Sequence, residues 1–220
     1  VTRTSHGGPA LLLGSALLVA LYAARVVHTG QLTFGFLLWN LTLALAPWAL
    51  ARAAFGVAAR GWLRSAWLLG VGWLLFLPNA PYLVTDFVHL RPRADVPLWY
   101  DIALLGTAAL TGLLAGGLSL RTMHRWVSLR HGPRAGLALL AASVPATGVG
   151  IYLGRFERWN SWDLLVRPFA VLRDVAVLLR DPAENLRAYV VIAIFAALLA
   201  ISYLAVGGSV RARDTLDRAS

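Results

Sequence analysis

Six apolar runs, at 10–24, 32–51, 66–77, 102–120, 135–153 and 188–206, follow one another along the chain, with arginine-bearing connections between them. A helix needs about 20 predominantly apolar residues to cross the hydrocarbon of a bilayer. In lipid, a helix meets its backbone hydrogen-bonding needs within its own segment. The succession therefore predicts an all-α fold: an integral membrane bundle of about six transmembrane helices, with residues 1–220 forming a single integral membrane domain. Hydrophobic residues make up 59% of the 220 and charged residues only 14%, a ratio that ordinary soluble domains do not carry. The first run follows Arg3 as a signal peptide would, but it has only a weak small-residue cleavage pattern and is read as a span.

The charged residues narrow the function classes. There is no cysteine, which excludes disulfides, thiolate catalysis and cysteine metal sites. All 20 basic residues are arginine, so Schiff-base chemistry on a lysine is excluded as well. The net charge of +10 is scattered between spans rather than gathered in a stripe, so it argues for membrane topology and against a nucleic-acid partner. One face, made of the N-terminus, the 52–64 and 121–134 connections and the C-terminal tail, carries eleven arginines. The opposite face has Arg25, Arg91 and Arg93 in its short connections and six more in the long 154–187 connection. With that long segment discounted, the asymmetry predicts a multipass membrane protein with both termini cytoplasmic. Asp86, Asp101 and Asp163 then lie on the outer face.

The third run stops at Leu77 and gives way to Pro78-Asn79-Ala80-Pro81-Tyr82. Each proline removes an amide donor and clashes with the preceding turn, so the span is expected to break here, or to continue into the bilayer as a broken or re-entrant element. Asn79 suits a cap on the backbone that the prolines free. Asp86 and His89 follow. Three residues apart, they share a face if the segment is helical, which makes them candidate catalytic acid–base groups or candidate ligands of a divalent metal. The plainer reading is a hydrogen bond at a helix end.

The densest polar cluster is Gly154-Arg155-Phe156-Glu157-Arg158-Trp159-Asn160-Ser161-Trp162-Asp163. Two guanidinium forks suit a phosphate or carboxylate, and Asn160 and Ser161 add neutral hydrogen bonds. In the plainer reading Trp159 and Trp162 form an interfacial belt and Arg155 pairs with Glu157 or Asp163. From 164 to 181 the polar residues Arg167, Arg173, Asp174, Arg180 and Asp181 project on one side of a helix, with Leu165, Phe169, Leu172, Val175, Ala176 and Leu179 opposite. Pro168 fits the first turn. This segment is expected to be an amphipathic helix lying in the membrane interface, or a lid packed across the spans.

The strings Phe76-Leu77-Pro78-Asn79-Ala80-Pro81-Tyr82, Thr85-Asp86-Phe87-Val88-His89-Leu90, Trp99-Tyr100-Asp101 and Tyr152 through Asp163 resemble an uncharacterised bacterial family of multipass membrane proteins, domain of unknown function 1361. The resemblance covers most of the chain. It implies one integral membrane domain and brings no reaction, substrate or catalytic residue.

A six-span topology brings the motifs to one mouth. Asp86 and His89 end the third span, Asp101 opens the fourth, the Arg155 cluster follows the fifth, and Arg25 and His28 close the first. The candidate substrate-binding set is Asn79, Tyr82, Asp101, Arg155, Arg158, Asn160, Trp162 and Asp163. Asp101 and Asp163 would complete an oxygen-rich shell or neutralise arginines. Elsewhere packing explains more. Gly112 with Gly116, and Gly150 with Gly154, have the spacing that lets helices approach closely, including those of a second copy in a homo-oligomer. Pro145 should kink the fifth span. Asn40 should hydrogen-bond across helices, and His124 and His131 should face solvent or headgroups. Three function classes follow: an outer-face site that binds, and in its fuller form processes, an anionic lipid or lipid-linked substrate drawn from the membrane lipids around it; a small-solute or ion transporter or channel; and a membrane scaffold or assembly subunit.

Overall fold

The computed structural model describes residues 7–159, 163–180 and 184–216. Among these residues there is no strand, only an isolated antiparallel bridge between Arg93 and Val96. The long helices are α1 (Gly7–Thr29), α2 (Phe36–Ala59), α3 (Leu63–Phe76), α5 (Leu98–His131), α6 (Pro133–Arg155) and α9 (Leu186–Leu216). Between α3 and α5 lie a single turn, α4 (Asn79–Tyr82), and a 3₁₀ helix, Leu83–His89. Between α6 and α9 lie α7 (Asp163–Val166) and α8 (Pro168–Arg180). Six helical segments are long and apolar enough to cross a membrane, and the third of them runs over Leu63–His89.

The short third run is therefore completed by the residues beyond its prolines. Pro78 keeps helical dihedrals, and the ladder is carried past it by Leu77 N–H to Trp73 O (2.8 Å), Ala80 N–H to Leu77 O (3.2 Å) and Tyr82 N–H to Pro78 O (3.1 Å). Pro81 leaves the carbonyl of Leu77 without its helical donor, and Ala80 N–H turns to it. The carbonyl of Phe76 that Ala80 would have served accepts a hydrogen bond from Asn79 Nδ2 at 3.1 Å, a backbone role that the sequence suggested for Asn79. Beyond Tyr82 the chain tightens into the 3₁₀ helix, where residues three apart eclipse one another. That places Asp86 and His89 on one face.

The 34-residue α5 is the centre of the bundle. It packs against α1, α2, α4, the 3₁₀ helix, α6 and α9, and 56% of its most apolar window is buried, against 6% for α9. Helix association in lipid gains little from hydrophobicity and depends on close packing. Small residues supply it. A Cβ at Gly112 would collide with the carbonyl oxygen of Ala80, one at Gly116 would press on Leu199 and Ala80, and one at Gly148 would strike the backbone of Ile192 on α9. Gly150 meets Pro78, and Gly154 meets Tyr82 and the carbonyl of Trp159. Both predicted glycine pairs thus serve contacts within the chain, chiefly with the proline-interrupted segment.

Most polar groups inside the spans find partners, although Ser15 Oγ, Arg25 Nη1 and Ser128 Oγ are buried without a hydrogen bond. Thr107, Thr111, Ser143 and Thr147 donate to carbonyls four residues back at 2.7–2.8 Å. Trp73 Nε1 donates to Ser119 Oγ at 3.2 Å. His124 corrects its sequence reading: it is half-buried, and Nδ1 lies 2.7 Å from the hydroxyl of Tyr203 on α9. An arginine-rich neighbourhood suggested solvent, but α9 covers the ring. His131 is exposed, with its ring tilted at 48° to Trp67, 5.6 Å between centroids. Pro145 lies inside the continuous helix α6.

Gly112→Ala should destabilise the protein by about 1–3 kcal/mol, because the added methyl group meets backbone rather than a movable side chain. Gly106→Ala on the same helix is the control, since its Cβ would sit 4.0 Å from Phe87 Cζ. Thermal unfolding in detergent should show a lower midpoint for Gly112→Ala and no loss for Gly106→Ala. Equal midpoints would contradict the seating of the third span on α5.

Candidate functional site

Alternating spans bring the ends of α1, the third span and α6 together with the beginnings of α2 and α5. The first polar assembly at this end is centred on Asp101. Its carboxylate accepts from Arg25 Nε at 2.8 Å and Nη2 at 3.4 Å, and from Arg93 Nη1 at 3.0 Å. Asp101 is 1% exposed, Arg25 2% and Arg93 27%. The ring of Phe34 lies beneath both guanidinium groups, 5.0 Å from Arg25 Cζ and 4.8 Å from Arg93 Cζ. Phe34 takes a φ of +70°, which costs a bulky L-residue, so the α1–α2 connection accepts backbone strain to hold that ring in place. Nearby, the Tyr100 hydroxyl donates to Leu21 O at 2.7 Å, fixing the start of α5 to α1.

The second assembly is centred on Arg155, at the end of α6. Its Nη1 lies 3.9 Å from Asp86 Oδ1 and donates to the Tyr82 hydroxyl at 3.4 Å. Its Nη2 lies 3.3 Å from His89 Nε2. A guanidinium has no acceptor, so that ring nitrogen accepts and the proton of a neutral His89 sits on Nδ1. Asp86 is 1% exposed, and its Oδ2 accepts from Asn40 Nδ2 of α2 at 3.0 Å. Asn40 therefore bonds across helices, as expected of an amide in a span. His89 lies at the surface with its ring against Phe36 at 4.9 Å.

This arrangement decides several sequence readings. Arg155 pairs with Asp86 and not with Glu157 or Asp163, because the end of α6 abuts the 3₁₀ helix. Asp101 neutralises arginines and joins no oxygen-rich shell with Asp86. Among the described residues no group of three or more His, Asp or Glu converges on a metal position. A divalent ion held by Asp86 and His89 would have to displace the Arg155 guanidinium that contacts both.

Beside the Arg155 assembly is a cavity of about 600 Å³ between α2, α3, α4, α6 and α8. Its wall is mostly apolar, with Asn40, Asn79, Tyr82, Arg158 and Trp159 as the polar groups. Arg158 is exposed at the rim in the left-handed region, with a φ of +61°, and forms no ion pair among the described residues. The indole N–H of Trp159 donates to Asp174 Oδ2 at 2.8 Å, tying α8 to the turn after α6. Val171, Leu172 and Val175 turn the apolar side of α8 into the cavity, so the amphipathic segment is a lid at least in part. It begins at Pro168, after a bend at Arg167 that separates it from α7.

Of the predicted site residues, Asn79, Tyr82 and Arg158 line the cavity, Arg155, Asp86 and His89 adjoin it through Tyr82, and Asp101 belongs to the separate Arg25 assembly. Asp163 opens α7 and does not line the cavity. Asn160 and Trp162 lie outside the described residues. Arg25 and Phe34 were not marked as site residues: an arginine closing an apolar run reads as a topology signal, and nothing local shows that its guanidinium is buried. Leu172 and Val175 were legible only as the apolar face of a helix, and Val171 was not among the residues assigned to that face.

The profile of a family described as "Protein of unknown function (DUF1361)" matches residues 39–201, which include the third span, the Arg155 turn and α8. No curated protein and no solved structure matches the chain.

Asp101→Asn should cost about 3–5 kcal/mol, because it leaves the buried Arg25 without its counter-charge. Arg93→Ala, which removes the more exposed partner, should cost about 1 kcal/mol. Replacing the pair together, Arg25→Met with Asp101→Leu, should recover most of the loss. Unfolding in detergent micelles measures all three; a double variant no better than Asp101→Asn would show that the pair is not the source of the effect.

Proposed function

The chain belongs to this family of unknown function, and from the geometry of its cavity we propose that it binds an anionic membrane lipid or lipid-linked molecule at one face of the bilayer. The observation that carries the reading is an apolar cavity of about 600 Å³ with the guanidinium of Arg158, which forms no ion pair among the described residues, at its rim. Ligand sites of this size are mostly apolar with a few placed polar groups. Arg158 supplies charge for a headgroup, and Tyr82, Asn79 and Asn40 supply hydrogen-bonding groups along the wall. Asp86 and His89 do not line the cavity; they hold the Arg155 guanidinium against Tyr82, which supports binding over turnover. The cavity spans residues 146–154 of α6, about 12 Å at the α-helical rise, and so occupies one end of the bundle rather than a path across it.

With the cavity on the outer face, both termini are cytoplasmic and the membrane is the bacterial cytoplasmic membrane. The arginine asymmetry supports this orientation. Cysteine introduced at the exposed positions Asp95 and Arg130 tests it in a chain with no other thiol. An impermeant reagent should label Asp95→Cys in intact cells and spare Arg130→Cys. The reverse pattern places the cavity on the cytoplasmic side.

Arg158→Ala should weaken binding of a phosphate-headed lipid by about one to two orders of magnitude, as a charge-assisted hydrogen bond contributes roughly 1.5–3 kcal/mol. Native mass spectrometry of the purified protein titrated with phosphatidate and with a neutral diacylglycerol reads both the affinity and its dependence on charge. No difference between the two lipids, and none between parent and Arg158→Ala, would return the cavity to a packing void and favour a scaffold.

A further inference from the structure

Helix α8 leaves about half of its apolar surface uncovered. At roughly 100° per residue, Leu178, Val171, Val175, Leu172, Ala176 and Phe169 follow one another around about half of the helix circumference. Only the first part of that arc faces protein. Val171 and Leu178 are buried, and Val171 and Val175 close the front of the cavity. Leu172 stands at the junction, lining the cavity and yet 56% exposed, and at the far end of the arc Phe169 is 86% exposed. A bare apolar strip marks an interaction surface. The depth of α8 indicates what meets it. The cavity that α8 covers is also walled by Val149, Gly150 and Leu153 of α6, all within the membrane-spanning segment Pro133–Arg155. The uncovered strip therefore lies beside the last turns of a span, at the edge of the hydrocarbon. Charge agrees with that position. The one carboxylate of α8, Asp174, accepts from the indole of Trp159, so the charges that α8 exposes are those of Arg173 and Arg180. On the same projection these two border the arc next to Phe169.

We propose that the Phe169–Leu172–Ala176 face of α8 docks on the surrounding lipid leaflet, with its apolar side chains at the acyl boundary and Arg173 and Arg180 on anionic headgroups. One helix then serves two surfaces: half of its apolar arc closes the cavity, and the other half holds the helix to the membrane. The cover is secured from outside by lipid as well as from inside by Trp159 and Tyr189. The partner is the leaflet and not a second copy of the chain for two reasons. Through Leu172 the strip is continuous with the side of the cavity where Trp39 of α2 and Leu74 of α3 are also exposed, so one apolar surface runs from the spans onto α8. Two copies meeting on this face would bring their arginines together, whereas anionic headgroups neutralise them. The docking holds whatever occupies the cavity.

The test uses single cysteines in this cysteine-free chain, Phe169→Cys and Ala176→Cys on the strip and Val177→Cys as an exposed position off it, each carrying an environment-sensitive fluorophore. All three side chains are exposed, so the substitutions leave the packing of α8 intact. In nanodiscs that contain phosphatidylcholine spin-labelled high on its acyl chain, the probes at 169 and 176 should be quenched at least about twofold more than the probe at 177. Spin-labelled phosphatidylglycerol should quench the probe at 169 about twofold more than the spin-labelled phosphatidylcholine does, and Arg173→Gln with Arg180→Gln should abolish that difference. Equal quenching at 169 and 177 overturns the docking. An unlabelled Phe169→Cys protein that oxidises to a disulfide-linked dimer, with no quenching of its labelled form, gives the face to a second copy and also overturns it. Equal quenching by the two lipids at 169 overturns the headgroup role of the arginines. Arg158→Ala, which alters the rim of the cavity, should leave the quenching at 169 unchanged. Loss of the preference for phosphatidylglycerol in that variant would place the lipid in the cavity and not on α8, which overturns the headgroup role while leaving the anionic-lipid reading of the cavity standing.

Discussion

The third span passes Pro78 and Pro81 with two amide donors missing in a region where water cannot replace them. The site hangs on how that backbone is held. Asn79 serves the carbonyl of Phe76, and the glycine face of α5 lets Ala80 approach so closely that a methyl group at Gly112 would strike its carbonyl oxygen. Gly150 of α6 closes on Pro78 from the other side. The segment is thus clamped between α5 and α6, and the 3₁₀ helix that continues from it delivers Asp86 and His89 to the end of α6, where Arg155 meets them.

Two carboxylates are buried at this end of the bundle, and their neighbours give them different uses. Asp101 is saturated by two arginines and joins α1, α5 and the connection before α5. Removing a buried charge from water is costly, and only close, well-aligned partners offset it. Arg25 Nε at 2.8 Å meets that condition, so the assembly is a structural lock. Asp86 has one close partner, Asn40, and a guanidinium at 3.9 Å. Arg155 in turn divides itself among Asp86, Tyr82 and His89 at 3.3–3.9 Å, which fixes its place through several long contacts rather than one short pair.

The cavity exists because α2 and α6 are held apart by the elements between them. α3 and α4 form its back and α8 lies across its front, attached through Trp159 to Asp174 and through the Tyr189 hydroxyl to Leu178 O at 3.2 Å. An amphipathic helix suits that place: its apolar side completes a greasy wall, and its charged side stays with water and headgroups. The same physics that makes the segment too polar to span the bilayer makes it a cover for an apolar cavity.

The sequence by itself determined the number and kind of elements, because about 20 apolar residues in lipid have few solutions other than a helix. It also located the interruption at Pro78, Asp86 and His89 on one face, a backbone role for Asn79 and an amphipathic helix at about 164–181, of which the structure forms Pro168–Arg180, since each depends on residues near one another in the chain. What the tertiary structure decided is partnership. That Arg155 faces Asp86 and not Glu157, that Asp101 is locked by Arg25 from 76 residues away, and that His124 is covered by Tyr203 all depend on which helix ends meet. An arginine at the end of an apolar run has the same local sequence whether it reaches into headgroups or into a buried carboxylate. Only the packing of distant spans removes the water, and with the water gone the opposite charge becomes a required partner.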